Sequence, residues 1–322
     1  MSPQFEKVTL IGLGLIGSSL AWAMKRGGLA GHIAGAARSA ETRAKSLELG
    51  FVDSVSDDMA EAVKDADLVV ICTPLSAYTA VARAIAPHLK DGAIVSDVGS
   101  CKRSAIDDVQ QYLPDHAHFV AAHPIAGTEN SGPEAGFAEL FDGRYLIITP
   151  TSGTDGKALE RVKRLWETIG AIVEIMSPEH HDRVFAITSH LPHLIAYTIV
   201  GTVADLEHQL AREHVTDEAL VRTNEVVRFS GSGFRDFTRI AGSDPTMWRD
   251  VFLKNREATL EMLGRFTEDL VALQRAIRWG EGEKLHDWFT RTREVRRKVL
   301  TEPARAPQVD WKENQKTSSD SD

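Results

Sequence analysis

Gly12-Leu13-Gly14-Leu15-Ile16-Gly17 is the stretch that decides the fold of this 322-residue chain. It follows the strand-like run Val8-Thr9-Leu10-Ile11 and opens a helical pattern. Glycines at this spacing between a strand and a helix are typical of a dinucleotide site, in which they allow a tight turn, approach of a pyrophosphate and close helix–strand packing. A glycine turn that binds no nucleotide is the alternative. The predicted site comprises Gly12, Leu13, Gly14, Leu15, Ile16 and Gly17, with Thr73 and Pro74 at the end of a later strand.

The first half of the chain alternates short β-branched runs with helical patterns. Strands are predicted at Val8–Gly12, His32–Ala36, Leu68–Thr73, Ala93–Asp97, His118–Ala122, Tyr145–Thr149 and Ala171–Ile175. Such alternation is typical of βαβ units. We therefore predict an α/β fold, a Rossmann-like doubly wound parallel sheet, for a dinucleotide-binding domain over residues 1–177.

Beyond residue 177 the strand signals disappear and the chain reads as helical. One helix is predicted from Pro178 to Val203, with a kink at Pro192 because proline lacks the amide hydrogen. A second is predicted from the cap Ser243-Asp244-Pro245, with an apolar stripe that continues to Ile277. So long a stripe needs a partner to cover it, so we predict an all-α domain over residues 178–302 that forms a homodimer.

Composition and charge limit the cellular context. A net charge of −9 gives no basic footprint for nucleic acid and disfavours anionic membranes. With only Cys72 and Cys101, a disulfide scaffold is not expected, which favours a reducing compartment. The N-terminus has no signal-peptide core, and no apolar run reaches the length of a bilayer span. We expect a soluble cytoplasmic protein with a disordered polar tail over residues 303–322.

The end of the second predicted strand bears on the choice of dinucleotide. A site for NAD usually carries an acidic residue there, whereas an arginine accommodates the 2′-phosphate of NADP. This chain has Ala37 at the position of the acid, then Arg38 and Ser39, with Arg43 one helical turn further on. We favour NADP over NAD, bound by Arg38 and Ser39. A solvated Arg38 and a site that accepts either cofactor stay open.

A histidine follows the strand-like run His118–Ala122, in the stretch Ala122-His123-Pro124-Ile125-Ala126-Gly127-Thr128-Glu129. Ligands of an open parallel sheet bind outside the carboxyl ends of its strands. An imidazole in that place exchanges protons near neutral pH. His123 is therefore a candidate catalytic base, and a histidine that merely caps a loop is the alternative.

Four stretches of the chain resemble the prephenate/arogenate (cyclohexadienyl) dehydrogenase family of tyrosine biosynthesis. They are the glycine fingerprint, Asp97-Val98-Gly99-Ser100-Cys101-Lys102, His123-Pro124-Ile125-Ala126-Gly127-Thr128-Glu129, and Ser189-His190-Leu191-Pro192-His193 taken with Asp236-Phe237-Thr238-Arg239-Ile240-Ala241. The resemblance spans roughly Lys7 to Leu300. It departs from the commoner pattern at Ala37, where an acidic residue is usual, and this departure puts a preference for NAD in doubt.

The resemblance implies an oxidative decarboxylation of prephenate, arogenate or both. A hydride leaves C4 of the substrate for NAD(P), a base takes the hydroxyl proton, and loss of carbon dioxide makes the ring aromatic. It also implies that His123 is the base and that Ser100 orients it or the hydroxyl group. The implied substrate-binding residues are Arg239 on a carboxylate, Ser189 and His193 lining the pocket, and Thr128 and Glu129 closing it.

Structural interpretations of the same residues stay open. Ser100 is also suited to capping a helix, His193 to a core position and Arg239 to an interhelical ion pair; His190 is expected to be structural. Four histidines, His180, His181, His190 and His193, raise the idea of a zinc site. A His-Glu-x-x-His pattern and a cysteine set are lacking, so we predict no metal.

Two other functions compete with this interpretation. A β-hydroxyacid dehydrogenase also joins a nucleotide domain to a helical one, but it depends on a catalytic lysine, and the candidates Lys254 and Lys284 lack a supporting motif. A nicotinamide-sensing protein without turnover needs no base such as His123. The sequence does not distinguish prephenate from arogenate as the substrate.

Overall fold

The computed structural model describes residues 2–128, 130–213 and 228–301, first as an α/β part and then as a helical part. Glu129 and the tail over residues 303–322 lie outside this range. The strands are β1 (Phe5–Ile11), β2 (Ala30–Ala36), β3 (Ser54–Ser56), β4 (Leu68–Ile71), β5 (Ile94–Asp97), β6 (His118–Val120), β7 (Ala122–Pro124), β8 (Tyr145–Ile148) and β9 (Ile172–Ile175). The first helices are α1 (Leu15–Arg26), α2 (Ala40–Leu49), α3 (Met59–Val63), α4 (Tyr78–Ile85), α5 (Lys102–Gln110) and α6 (Gly156–Thr168). The helical part contains α7 (Pro178–Phe185), α8 (Leu191–Glu213), α9 (Ser232–Thr238), α10 (Pro245–Lys254), α11 (Arg256–Trp279) and α12 (Gly282–Thr301).

The predicted α/β fold is confirmed by a parallel six-stranded sheet with the order β3-β2-β1-β4-β5-β6. This is the order of the dinucleotide-binding fold. Ile11 pairs with Ala36 on one side and with Ile71 on the other, so β1, β2 and β4 end at the same edge. The strand order reverses between β1 and β4, which is where such sheets bind their ligands.

The predicted strand over residues 118–122 is two strands in two sheets. β6 ends the parallel sheet at Val120, and β7 starts at Ala122 in a separate sheet with the order β7-β8-β9. β7 is antiparallel to β8, and β8 is parallel to β9, so the predicted strands ending at Thr149 and Ile175 also leave the parallel sheet. The break is hidden in the sequence because residues 119–122 are all buried, which leaves an unbroken apolar run.

Both predicted long helices are interrupted. A π-helical turn, Ala186–His190, separates α7 from α8 directly before Pro192, whose missing amide hydrogen leaves the Thr188 carbonyl without its usual helical donor. The helix predicted to run on to Ile277 breaks at Asn255, with φ −109° and ψ 38°. The buried Asn255 side chain donates to the Asp182 carbonyl at 2.8 Å, so a tertiary contact accompanies the break.

One helical stretch, Pro178–Leu206, is long and apolar enough to cross a membrane by length and composition. The expectation that no apolar run reaches this length is therefore wrong. The stretch carries the buried polar residues His181, Asp182 and His190, which are hydrogen-bonded to other elements of the chain. Core helices of soluble proteins can be equally long and apolar, so this stretch is only weak evidence that the chain crosses a membrane.

Large apolar side chains are exposed on the last two helices. Those on α11 and α12 are Leu260, Leu270, Val271, Ile277, Trp279, Phe289 and Val295. An exposed apolar surface of this kind is typical of a protein–protein interface. This exposed surface includes Ile277, the end of the apolar stripe that was predicted to need a partner.

Candidate active site and cofactor site

The three fingerprint glycines meet three different requirements of the turn after β1. Gly12 has φ +101°, and a Cβ there would lie 2.7 Å from the Cys72 carbonyl oxygen. A Cβ on Gly17 would lie 2.1 Å from the Gly12 carbonyl oxygen. A Cβ on Gly14 would meet nothing within 4 Å, which leaves the start of α1 open to a ligand. The turn therefore fits the close approach of a pyrophosphate.

The surroundings of this turn also fit a dinucleotide. No side chain caps α1 at Gly14, so backbone donors at the helix N-terminus are available to a phosphate. Leu13 is buried and Leu15 and Ile16 pack against the core, so these three residues offer backbone groups rather than side chains. Thr73 has a buried hydroxyl that lacks a partner among the described residues, and Pro74 follows it at the end of β4.

The turn after β2 is braced by an arginine. Arg43 donates to the carbonyl oxygens of Ala37 and Arg38 at 2.7 and 2.8 Å, and pairs with Asp57 at 3.1 Å. Ser39 caps α2 by accepting from the Thr42 amide at 3.3 Å. Because Arg43 holds the turn, the exposed Arg38 is the better placed of the two arginines to meet a ligand.

The backbone next to His123 is held by a buried ion pair. Lys102 Nζ lies 2.6 Å from Asp97 Oδ2, and neither side chain is exposed. Lys102 also donates to the Ala122 carbonyl at 2.6 Å, while the Ala122 amide donates to Asp97 Oδ1 at 3.1 Å. Both polar backbone groups of Ala122 are thus bound, which fixes the following residue at the start of β7.

The ring of His123 contacts another histidine. Its Nδ1 lies 2.8 Å from His181 Nε2, and the Nδ1 of His181 lies 2.8 Å from Asp182 Oδ1. Phe185 packs edge-on against the His123 ring, with centroids 4.9 Å apart. Burial, His181 and the charge of Lys102 lower the pKa of His123 well below its ordinary value, so the ring is neutral at pH 7.

Asp182 joins this group of side chains to the start of α5. Its carboxylate accepts from the amides of Lys102 at 2.7 Å and Arg103 at 3.0 Å. Burial alone would raise the pKa of Asp182, but the hydrogen bonds from His181 and these amides lower it. Asp182 thus accepts from the amides at the start of α5. In the structural interpretation of Ser100, these were the donors that Ser100 would cap.

Ser100 is half-buried beside this helix start. Cys101 occupies the N-cap position of α5, and its thiol donates to the Val251 carbonyl at 3.6 Å. Within the described part of the chain, no hydrogen bond joins Ser100 to His123. The expected orienting contact therefore stays a prediction.

His193 and Ser189 lie together after the π-helical turn. His193 Nδ1 donates to the Ser189 carbonyl at 2.8 Å, and its ring stacks on Trp248 with centroids 3.7 Å apart. Burial and the charge of Arg239 lower the pKa of His193, against the raising effect of the Ser189 hydrogen bond. His190 faces the interior, where the Asn255 amide donates to its Nδ1 at 3.1 Å, as its structural interpretation expects.

Arg239 begins a 3₁₀ turn, Arg239–Gly242, beside α8. Tyr197 on α8 donates to the Ser243 carbonyl at 2.7 Å and ties the end of this turn to the helix. Arg239 thus lies in a turn that packs against the helix that carries His193. Thr128 accepts from the Asn130 amide at 3.3 Å, in the loop that follows β7.

Sequence reasoning missed Asp182 and Trp248, and considered His181 only as a metal ligand. The cap Ser177-Pro178 fixes the start of α7, and helical spacing from it places residues 181 and 182 on the same side as Phe185; this signal was available. The lysines of the alternative enzyme class are ion-paired elsewhere, Lys254 with Asp108 and Lys284 with Glu281. Over the described ranges, His, Cys, Asp and Glu side chains do not gather in threes as metal ligands.

Comparisons with known proteins agree along almost the whole chain. The family model for the prephenate dehydrogenase nucleotide-binding domain matches residues 20–175, and that for the prephenate dehydrogenase dimerization domain matches residues 177–291. The cyclohexadienyl dehydrogenase of Zymomonas mobilis is 41% identical over 300 residues, covering 92% of this chain and 97% of the relative.

Two solved structures extend this similarity to the fold. Prephenate dehydrogenase from A. aeolicus, in complex with hydroxyphenyl propionate and NAD+, superposes with a TM-score of 0.81 at 35% identity, covering 91% of this chain and 98% of that one. Synechocystis arogenate dehydrogenase superposes with a TM-score of 0.73 at 28% identity, covering 91% and 99%.

Proposed function

The chain belongs to the prephenate dehydrogenase family, and on that premise we propose that it oxidatively decarboxylates prephenate, arogenate or both with NAD(P). The products are 4-hydroxyphenylpyruvate from prephenate and tyrosine from arogenate. The observation that carries the proposal is the half-buried ring of His123, which lies just beyond the carboxyl end of β6 in the dinucleotide-binding sheet and whose pKa burial lowers.

His123 acts as the general base. Its neutral ring takes the proton of the C4 hydroxyl, so the O–H bond breaks and an N–H bond forms on the imidazole. When bound, the nicotinamide supplies the hydride acceptor for C4. The C1 carboxylate leaves as carbon dioxide, the electrons of the broken C–C bond complete the aromatic ring, and the imidazolium of His123 returns its proton to the phenolate oxygen. Ser100 orients the base or the hydroxyl group.

The helical part binds the rest of the substrate. Arg239 pairs with a substrate carboxylate, and Ser189 and His193 line the same pocket. The Trp248 ring stacked on His193 holds that imidazole in place, and the basic charge of Arg239 supports an anionic ligand. Thr128 closes the pocket, and the same role expected of Glu129 falls outside the described residues.

For the cofactor, NADP is favoured over NAD. Ala37 leaves no carboxylate at the end of β2 to repel a 2′-phosphate, and Arg38 is exposed beside it. Ser39 has a hydroxyl at the same turn. The NAD+ bound to the A. aeolicus relative keeps NAD as the second choice.

We further propose a cytoplasmic homodimer formed through the helical part. The exposed apolar side chains of α11 and α12 support such an interface, as does the match to a dimerization domain over residues 177–291. Light scattering tests it: the mass of a dimer is expected, and a monomeric mass contradicts it.

The function itself is tested by mixing purified protein with prephenate or arogenate, each with NAD or NADP. Reduced nicotinamide and released carbon dioxide are expected to appear together in equal amounts. The ratio of kcat/KM values then assigns substrate and cofactor. Silence in all four mixtures, with the cofactor still bound, would contradict the proposed chemistry.

A further inference from the structure

We propose that His181 and Asp182 are positioning residues that hold the proton of His123 on Nδ1 and leave Nε2 as the basic atom. The inference rests on the proposed function, because it assigns the atom with which His123 acts. It is carried by the hydrogen-bonded chain from Asp182 through His181 to His123, in which both contacts measure 2.8 Å.

The direction of these hydrogen bonds is set by Asp182. An ionised carboxylate only accepts hydrogen bonds, and that of Asp182 already accepts from the amides of Lys102 and Arg103. The Nδ1 atom of His181, 2.8 Å away, must therefore carry the hydrogen that it shares with Asp182. A neutral imidazole has one donor and one acceptor nitrogen, so His181 Nε2 accepts.

The same rule then fixes the tautomer of His123. Its Nδ1 faces the accepting Nε2 of His181, so Nδ1 carries the hydrogen and donates it. The lone pair of a neutral His123 is thereby left on Nε2. With the opposite tautomer, the lone pairs of His123 Nδ1 and His181 Nε2 would face each other across 2.8 Å, with no hydrogen between them.

Burial keeps His181 neutral. Burial and the charge of Lys102 lower its pKa, although Asp182 acts in the opposite direction. Asp97 also faces His181 and favours its charged form, but it is paired with Lys102. His190 lowers the pKa of His123, as Lys102 does, but its effect is smaller.

The arrangement also has a role after proton transfer. Once His123 Nε2 holds the substrate proton, the ring is positive and its Nδ1–H still points at His181. Asp182 lies behind His181 and provides the negative charge that stabilises this positive pair. We therefore expect His181 to act on kcat, since the charge develops during the reaction, and little on KM.

Ring-nitrogen NMR on the full chain, labelled with ¹⁵N-histidine and free of ligands, tests the tautomer directly. His123→Asn identifies the signals of His123. At neutral pH its Nδ1 is expected to resonate as a protonated nitrogen and its Nε2 as an unprotonated one. A proton on Nε2, or on both nitrogens, would overturn the inference even if the enzyme turns over prephenate.

Paired variants test the role in turnover. His181→Leu removes the acceptor and is expected to lower kcat by about 10²–10³-fold, with KM changed by less than about threefold. His181→Gln places an amide oxygen near the former Nε2 and is expected to recover about tenfold or more of that loss. His180→Leu and His180→Gln, at the exposed neighbouring position, are the matched controls and should match the parent.

These outcomes separate the inference from the proposed function. An active parent whose His181→Leu variant keeps full kcat and the same tautomer would contradict the inference alone. A parent protein that turns over neither prephenate nor arogenate, but shows the expected tautomer in its spectrum, would contradict the proposed function alone. If His181→Leu fails to fold, the NMR spectrum of the parent still shows which nitrogen of His123 carries the proton and so tests the inference.

Discussion

Lys102 Nζ and Asp97 Oδ2 lie 2.6 Å apart in a fully buried ion pair that joins the end of β5 to the start of α5. Asp97 also accepts from the Tyr78 hydroxyl at 3.1 Å and the Gly99 amide at 2.9 Å. The pair reaches β7 through Ala122, so the residue before the proposed base is tied to the dinucleotide-binding sheet. A buried charge pair thus links the parallel sheet to the strand that carries His123.

Removing one partner of this pair is expected to destabilise the fold. Lys102→Met leaves Asp97 buried without its counter-ion, and we expect the free energy of unfolding to fall by about 3–5 kcal/mol. Urea denaturation followed by circular dichroism measures it. Lys25→Met, which breaks the exposed pair with Asp53, is the control and is expected to cost less than about 1 kcal/mol. Equal losses in the two variants would contradict this account.

Substitutions of two fingerprint glycines should distinguish effects on stability from effects on dinucleotide binding. Gly17→Ala drives its methyl group into the Gly12 carbonyl, so we expect a lower Tm and a loss of dinucleotide binding. Gly14→Ala meets no protein atom and should leave the Tm unchanged, while it weakens dinucleotide binding by about tenfold or more. Thermal unfolding and fluorescence titration with NADP measure the two effects. A Gly14→Ala variant that binds NADP like the parent would argue against this position of the pyrophosphate.

Acid should destabilise the protein before its carboxylates titrate. Burial lowers the pKa of His190 to about 4, and burial also lowers the pKa of His123, His181 and His193. Such histidines take up protons more readily in the unfolded chain, so their contribution is fully present above a pH of about 6.5 and is lost as the pH falls. We expect the unfolding free energy to drop by more than about 1 kcal/mol between pH 7 and pH 5.

Denaturant titrations across that range test the pH dependence. His190→Asn keeps an acceptor for Asn255 and removes one of the four imidazoles with a lowered pKa, so the stability of this variant should fall less with acid than that of the parent. The exposed His180 is the control position, and His180→Asn should follow the parent. A stability that rises as the pH falls from 7 to 5 would refute the expectation.

Cofactor preference should respond to a single carboxylate. Ala37→Asp restores the acid that binds ribose hydroxyls and repels a 2′-phosphate, so we expect the ratio of kcat/KM for NADP over NAD to fall by about tenfold or more. Glu41→Gln, which changes a charge one turn into α2, is the control for a general electrostatic effect. An unchanged ratio in Ala37→Asp would show that this turn does not choose the cofactor.

The sequence predicted what depends on local pattern. The run Val8–Ile11 followed by three glycines encodes a strand, a turn and a helix within a few residues, so its structure and the dinucleotide class of its ligand were predictable. The helix starts at Pro178 and Pro245 were readable for the same reason, because a capping residue and a proline stand side by side. The predicted order of domains follows from these signals.

What the sequence concealed depends on contacts between distant residues. His123 and His181 are 58 positions apart, and no local pattern reports that α7 lays one ring against the other. The break at Asn255 escapes detection because the apolar spacing continues across it, while the reason for it is a hydrogen bond to Asp182. The change of sheet at Ala121 escapes for a similar reason, since both strands beside it are buried.

The most direct test of the central claim is the turnover of His123→Asn beside that of the parent, with prephenate and arogenate as substrates and saturating NADP or NAD. Loss of the general base is expected to lower kcat by about 10²–10⁴-fold. Dinucleotide affinity, measured by fluorescence titration, should stay within about threefold of the parent, because the glycine turn is untouched. A His123→Asn variant that turns over at the parental rate would contradict the account.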